Sequence, residues 1–190
     1  MKDLRSFLLC IPILANSAFG KMPDSEWQIS TALLAAPEEE RDTATVLGYD
    51  ETGEVITLRE GSGSLVCLAD DPKQDGFSVA SYHKELEPYM VFGRQRRAEG
   101  LEFQEIFDAR EQAVKSGRLK MPDRATLSVL TGDLNDETGE IENTYQRYVI
   151  YIPYATVEST GLPLKPATPG APWIMNPGTH RAHIMVNPPK

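Results

Sequence analysis

Several short segments of the chain have the hydrophobic pattern typical of β-strands, and residues 146–153 show the two-residue alternation most clearly. These segments lie at residues 43–49, 54–59, 64–69, 77–82, 125–130, 146–153 and 182–186. The first four follow one another closely, and turn residues such as those at 50–53 separate them. Spacing this short favours an antiparallel meander, and the later segments favour an added hairpin.

The hydrophobic period changes to that of an α-helix at three places. Asp24 or Ser25 can cap a short helix that ends near Pro37. Apolar residues recur at helical spacing through residues 86–97, and again through residues 103–114 before Gly117. The predicted fold is therefore α+β, with an antiparallel sheet that carries two or three helices on one face.

The C-terminal segment, residues 154–190, differs in composition from the rest of the chain. Half of the 14 prolines fall within residues 163–189, and only residues 182–186 have strand character. Long irregular segments of compact domains are either functional loops or arms that wrap the surface. We therefore expect a proline-rich C-terminal arm on a single domain that spans residues 21–190.

The first twenty residues have the layout of an export signal. A basic start precedes an apolar run at residues 7–14, and Ala18 and Gly20 supply the small side chains that signal peptidase requires. This pattern predicts cleavage between Gly20 and Lys21 and a periplasmic or secreted location. The apolar run is much shorter than the ~20 residues that a membrane-spanning helix needs. The sequence therefore predicts no membrane anchor.

Charge and cysteine content narrow the function further. The formal net charge is −9 and the sequence pI is about 4.9, which argues against nucleic-acid binding, because that depends on clustered Lys and Arg. After cleavage Cys67 is the one cysteine left, so no internal disulfide can form. Cys67 lies in an apolar run, which predicts a buried structural thiol.

Four residues of the C-terminal arm are candidate binding residues. Trp173 offers a large apolar surface, and His180, Arg181 and His183 lie close together in the sequence. No nucleophile–base set is recognisable around them, and no cofactor is predicted. The leading hypothesis is therefore a non-enzymatic binding or interaction module with a protein or small-molecule partner.

The alternative hypothesis is a small extracytoplasmic hydrolase or metalloenzyme. His83, His180 and His183 could hold a catalytic zinc with an open fourth position, with Glu85 or Asp70 as the base. The spacing supports this weakly. A zincin pair lies at i and i+4 on one helix face, whereas His180 and His183 are three residues apart and lead into a strand.

Two other motifs match known sites only in part. Residues 81–84 read S-x-x-K, but the S-D-N element of penicillin-recognising enzymes is absent. Residues 133–144 begin like a calcium loop, but Thr138 replaces the glycine at position 6 and Thr144 the glutamate at position 12. A turn is the simpler interpretation of residues 133–140.

Several short motifs carry a resemblance to other proteins. They read GYD at residues 48–50, LVCLADDP at 65–72, YIPYAT at 151–156 and PWIM at 172–175. Together the chain resembles a group of uncharacterised exported bacterial proteins of similar length. The resemblance implies bacterial origin and export, and it implies no activity, cofactor or catalytic residue.

Overall fold

One eight-stranded sheet organises the chain in the computed structural model, which describes residues 22–135 and 137–189. The predicted signal peptide, residues 1–20, lies outside these ranges. The strands are β1 (Thr45–Tyr49), β2 (Val55–Arg59), β3 (Leu65–Leu68), β4 (Phe77–His83), β5 (Ala125–Leu134), β6 (Ile141–Tyr151), β7 (Trp173–Met175) and β8 (His183–Val186). The α-helices are α1 (Ser25–Ala32), α2 (Glu87–Ala98), α3 (Phe103–Lys115) and α4 (Val157–Thr160), and 3₁₀ turns cover Leu33–Ala35, Glu38–Thr43 and Lys84–Leu86.

The prediction of an α+β fold with a mostly antiparallel sheet is confirmed, but the sheet is larger and its order differs from a meander. The order is β2-β1-β3-β4-β5-β6-β8-β7, and β3 pairs with β1 in parallel. Gly61 explains this crossing, because the chain after β2 passes directly over the start of β1. A Cβ at Gly61 would lie 2.3 Å from the carbonyl carbon of Ala44, so only glycine fits there.

Helices pack on both faces of the sheet. Phe77 of β4 meets Trp27 of α1 edge to face, with ring centroids 6.2 Å apart. Tyr82 points to the other side of the same strand and donates its hydroxyl hydrogen to Glu87 of α2. The helices therefore do not all lie on one face of the sheet, as the sequence had predicted. Helix α1 and the 3₁₀ turns before β1 cover part of the second face.

The largest core lies between the sheet and the helices α2 and α3. Leu86, Tyr89 and Ala113 are fully buried there, against Tyr82 and Tyr151 of the sheet. Burying a large apolar side chain stabilises the fold by about 1.5–3 kcal/mol. This core therefore fixes α2 and α3 on one face of the sheet.

No helix of the described ranges is long and apolar enough to cross a membrane.

The C-terminal segment contributes strands to the sheet, which corrects the prediction of an arm with only one strand. β8 pairs with β6 in antiparallel fashion, and β7 pairs with β8 to form the last strand of the sheet. Ile174 of β7 is fully buried. Residues 163–169, which carry three of the prolines, are exposed and contain no helix or strand. Proline lacks the N–H group that a strand ladder needs, which accounts for the irregular part.

Candidate functional site

A cavity of about 570 Å³ lies between the 3₁₀ turns after α1 and the strands β4, β5 and β6. We call it the sheet groove and define it by Leu34, Pro37, Leu65, Ser81, Ser128, Gln146, Tyr148 and Ile150. The cross-strand pairs place Ser81 beside Ser128, and Ser128 beside Tyr148, so these side chains share one face of the sheet. That face is opposite to the one on which α2 and α3 pack.

The inner end of the sheet groove is polar. Gln146 Nε2 donates hydrogen bonds to the carbonyl oxygen of Ala35, at 3.2 Å, and to Ser128 Oγ, at 2.7 Å. The amide therefore ties the wall of the groove to its floor. Both hydrogen bonds use Nε2, so Gln146 Oε1 and the hydroxyl hydrogen of Ser128 are not used by them.

The outer end of the sheet groove is apolar. Tyr148 is 45% exposed although it lies within β6, and Ile150 follows it on the same face. Their partners on β8 are Val186 and Ile184, which extend the apolar surface along the sheet. An exposed aromatic side chain beside a cavity is typical of ligand-binding surfaces.

Charged groups lie at the rim of the sheet groove. Arg41 Nε donates to the carbonyl oxygen of Ala36 at 3.1 Å, which fixes the base of its guanidinium. Glu40 accepts a hydrogen bond from Ser64 at 3.2 Å, and Glu38 lies on the exposed side. The rim therefore carries both signs of charge, while the cavity floor carries none.

A second cavity, of about 680 Å³, lies at the start of α1. Gln28, Tyr49 and Asp50 line it together with Lys73, and Met22, the first residue of the described range, forms part of its wall. Gln28 binds both the N–H and the carbonyl oxygen of Tyr49, so its amide holds α1 onto β1. The amide of Gln28 in this cavity therefore has a structural role.

A hydrogen-bonded ion contact joins α3 to the C-terminal segment. The ring of His180 is fully buried, and its Nδ1 lies 2.6 Å from Oε2 of Glu111. The same carboxylate oxygen accepts the backbone N–H of His180 at 2.9 Å, and Lys115 lies 2.8 Å from Oε1. Burial lowers the pKa of His180 in spite of Glu111. We therefore interpret His180 as a neutral ring that donates from Nδ1.

The predicted binding residues lie on the side of the sheet that faces α2 and α3. Arg181 stacks over the ring of Phe103 at 5.1 Å, and His183 packs against Tyr151 with ring centroids 5.4 Å apart. Trp173 of β7 packs against the same core, and its indole nitrogen is buried without a partner among the described residues. None of these residues lines the sheet groove.

The three histidines do not converge on one point. His83 pairs with Leu65 and faces the α1 side of the sheet, whereas His183 pairs with Tyr151 on the other side. No group of three or more potential metal-binding side chains is present in residues 22–135 and 137–189. The two proposed bases are engaged separately: Asp70 accepts from the N–H of Ser78, and Glu85 lies 3.9 Å from His83.

The structure also shows where the S-x-x-K match and the calcium-loop match lie. Ser81 lies inside β4 and is buried, whereas a penicillin-recognising serine must begin a helix. Asn135 accepts hydrogen bonds from the N–H groups of Glu137 and Thr138, which shapes the hairpin between β5 and β6. The calcium-loop match includes Asp136, which lies outside the described residues.

Two serine hydroxyls line the sheet groove. Ser128 accepts a hydrogen bond from an amide, and Ser81 interacts with the Cys67 thiol. Within the described part of the chain, neither hydroxyl contacts an imidazole or a carboxylate that would activate it as a nucleophile.

Sequence reasoning missed Gln146 and Glu111. A signal for Glu111 was present, because Phe103, Phe107 and Glu111 recur at intervals of four residues along one face of α3. Gln146 carried no comparable signal, since its role depends on a contact with Ala35, which lies 111 positions earlier in the chain.

Comparison with known proteins adds no assignment. No protein-family model matches the chain. No curated protein and no solved structure matches it either.

Proposed function

We propose that this protein is a non-enzymatic binding module that holds a small amphipathic molecule in the sheet groove. The observation that carries the proposal is the cavity itself, which combines a polar inner end with an apolar outer end. Its volume of about 570 Å³ is within the range of small-molecule sites.

The groups at the inner end favour an uncharged polar head. Ser128 can donate a hydrogen bond and Gln146 Oε1 can accept one, and neither group carries a charge. A charged head at this end would lose its hydration without gaining a counter-ion, which is unfavourable. The exposed ring of Tyr148 and the side chain of Ile150 would cover the apolar body of the ligand.

We also propose a cellular location for the protein. The leader at residues 1–20 has the features of a signal peptide, and the resemblance noted above also implies export from a bacterial cell. We propose that the protein acts in the periplasm or outside the cell after cleavage near Lys21. Detection of a mature N-terminus close to Lys21, by sequencing the protein from a bacterial periplasmic extract, tests this point.

A fluorescence titration tests the binding function. The probe is N-phenyl-1-naphthylamine, which is uncharged, has one N–H donor and fluoresces more strongly in apolar surroundings. We expect saturable binding to the native protein. In the variant Ile150→Trp, the larger indole ring fills the outer end of the groove. The naphthyl ring of the probe can then no longer pack there, so probe binding should weaken by at least about tenfold.

A matched variant controls for the added indole ring. Leu164 is 56% exposed and lies in the proline-rich loop, outside the groove. Leu164→Trp should therefore bind the probe as the native protein does, and circular dichroism should show that both variants are folded. Equal probe affinity in the two variants would refute the sheet groove as the binding site.

A further inference from the structure

The orientation of the Gln146 amide follows from its contact with the wall of the sheet groove. A carbonyl oxygen can only accept a hydrogen bond, so the atom that lies 3.2 Å from the carbonyl oxygen of Ala35 must be the amide nitrogen, Nε2. The reversed amide would bring two acceptor oxygens together. Gln146 Oε1 therefore points away from Ala35, and no group in residues 22–135 and 137–189 donates a hydrogen bond to it.

Ser128 provides the complementary group. Its Oγ accepts a hydrogen bond from Gln146 Nε2 at 2.7 Å, whereas its own hydrogen has no acceptor among the described residues. A serine hydroxyl has one hydrogen to donate, and accepting a bond leaves that hydrogen free. The neighbouring Ser81 interacts with the Cys67 thiol instead. The inner end of the sheet groove therefore presents one unused donor beside one unused acceptor.

The unused donor and the unused acceptor lie close together because a single amide connects them. Nε2 and Oε1 of Gln146 share a carbon atom, and Ser128 Oγ lies 2.7 Å from Nε2. Standard bond lengths and angles then put Ser128 Oγ about 3.5–5 Å from Gln146 Oε1. Hydrogen bonds of about 2.8 Å from two groups this far apart can meet at one oxygen atom. A ligand hydroxyl fits there, since it can accept from Ser128 and donate to Oε1.

Other common head groups satisfy only one of the two groups. A carboxylate only accepts hydrogen bonds, so it would face the lone pairs of Gln146 Oε1 without a hydrogen between the oxygens. An ether oxygen accepts from Ser128 but also leaves Oε1 unpaired. An ammonium group has no lone pair for the Ser128 hydrogen, and its charge would lose hydration at an inner end that carries no counter-ion. Only a group that both donates and accepts is satisfied by the two side chains.

We propose that the sheet groove selects ligands whose polar head is a hydroxyl group, with Ser128 and Gln146 as the specificity-determining residues. This inference rests on the binding function proposed above and adds the chemical class of the ligand, which is an alcohol with an apolar body. Ala35 acts through Gln146, because its carbonyl oxygen fixes the orientation of the amide.

Displacement of N-phenyl-1-naphthylamine from the native protein by three naphthalene compounds tests the selectivity. 1-Naphthylmethanol carries the hydroxyl group, 1-ethylnaphthalene has a methyl group of similar size in its place, and 1-naphthoate carries a carboxylate. We expect the alcohol to bind at least about fivefold more tightly than the hydrocarbon, because the hydrocarbon covers Ser128 and Gln146 without bonding to them. 1-Naphthoate should bind at least about tenfold more weakly than the alcohol.

The variant Ser128→Ala removes the donor and leaves the apolar lining of the groove in place. Its preference for 1-naphthylmethanol over 1-ethylnaphthalene should fall by at least about fivefold relative to the native protein. The matched control is Ser78→Ala, which removes a serine hydroxyl from an exposed position of the neighbouring strand β4, outside the groove. It should keep the native preference within about twofold, and circular dichroism should show that both variants are folded.

The outcomes distinguish the selectivity from the binding function itself. If the probe does not bind, or binds equally to Ile150→Trp and Leu164→Trp, the groove is not the binding site and the selectivity is refuted with it. If the probe binds in the groove but the native protein does not prefer the alcohol, or if Ser128→Ala keeps the full preference, only the selectivity is refuted.

Discussion

The guanidinium of Arg110 occupies the space that a side chain at Gly93 would need. The calculated separation between a Cβ at Gly93 and Arg110 Nη2 is only 1.8 Å. Glycine inside a helix is about 1 kcal/mol less favourable than alanine. Helix α2 therefore accepts a weaker helix former at the point where α3 places its arginine.

The variant Gly93→Ala should displace the Arg110 guanidinium and leave the stability of the protein nearly unchanged. Arginine is flexible, so its guanidinium can move aside, and the protein should fold. The gain in helix propensity of about 1 kcal/mol should offset the loss of the hydrogen bond from Arg110 Nη2 to the carbonyl oxygen of Tyr89, also worth about 1 kcal/mol. We expect urea unfolding free energies within about 1 kcal/mol of the native protein and a clear shift of the Arg110 Nε–H signal. An unshifted signal would show that Gly93 does not position Arg110.

Gly61→Ala should have a much larger effect on stability. A Cβ at this position would meet the backbone of Ala44 and Thr43 at 2.3 Å, and backbone atoms cannot move aside as a side chain can. We expect a loss of at least about 3 kcal/mol of unfolding free energy, or failure to fold. The control is Gly76→Ala, where a Cβ would meet no atom within 4 Å but φ is +78°. That strain alone should cost about 1–2 kcal/mol.

The contact between Glu111 and His180 predicts two steps of acid destabilisation. Burial lowers the pKa of His180 below its ordinary value of 6.5, so its contribution is complete above pH 6.5 and declines below it. Burial would raise the pKa of Glu111, but hydrogen bonds from Lys115 and from His180 outweigh it and lower the pKa to about 2. The stability from Glu111 is therefore present above pH 4.5 and is lost between pH 4.5 and 2.

Thermal unfolding midpoints, measured in steps from pH 8 to pH 2, test this prediction. Glu111→Gln keeps the side-chain shape but cannot titrate. It should remove much of the decline between pH 4.5 and 2 and keep the decline that begins near pH 6.5. If the variant and the native protein lose stability in parallel below pH 4.5, another carboxylate is responsible.

Cys67 should be chemically silent in the folded protein. Its thiol is fully buried, and burial raises its pKa, so the reactive thiolate is scarce. We expect no alkylation of Cys67 by iodoacetamide at neutral pH, and complete alkylation in denaturing urea. Peptide mass spectrometry distinguishes it from Cys10 in the unprocessed chain. Rapid alkylation under native conditions would show that the strand β3 opens readily.

Much of the secondary structure follows from local patterns. The alternating segment at residues 146–153 becomes part of β6, and the helical spacing from Phe103 produces α3. The turn at Asp50 also follows, because its carboxylate accepts the N–H groups of Thr52 and Glu54. Burial of Cys67 was predicted from its apolar neighbours and is confirmed.

The arrangement of the strands could not be predicted in the same way. The spacing of β1, β2 and β3 favours a meander, but β3 passes to the other side of β1. The residues of a turn do not determine on which side of β1 the strand β3 pairs. β7 was missed for a related reason: its three residues are too few to show a period, and pairing with β8 defines it.

The candidate sites depend even more on tertiary contacts. His180 and Arg181 were predicted as binding residues, but the partners that give them a role, Glu111 and Phe103, come from a distant helix. Gln146 joins the sheet groove only because Ala35 lies above it.

The sequence alone determined most of the elements of this protein, its acidic charge and the burial of Cys67, because these depend on residues close together in the chain or on composition. Only the tertiary structure decided the strand order, the sheet groove and the position of Arg110, since each arises where distant segments meet. Gly93 and Arg110 illustrate the difference: neither residue indicates the other in the sequence, and the packing of α2 against α3 brings them into contact.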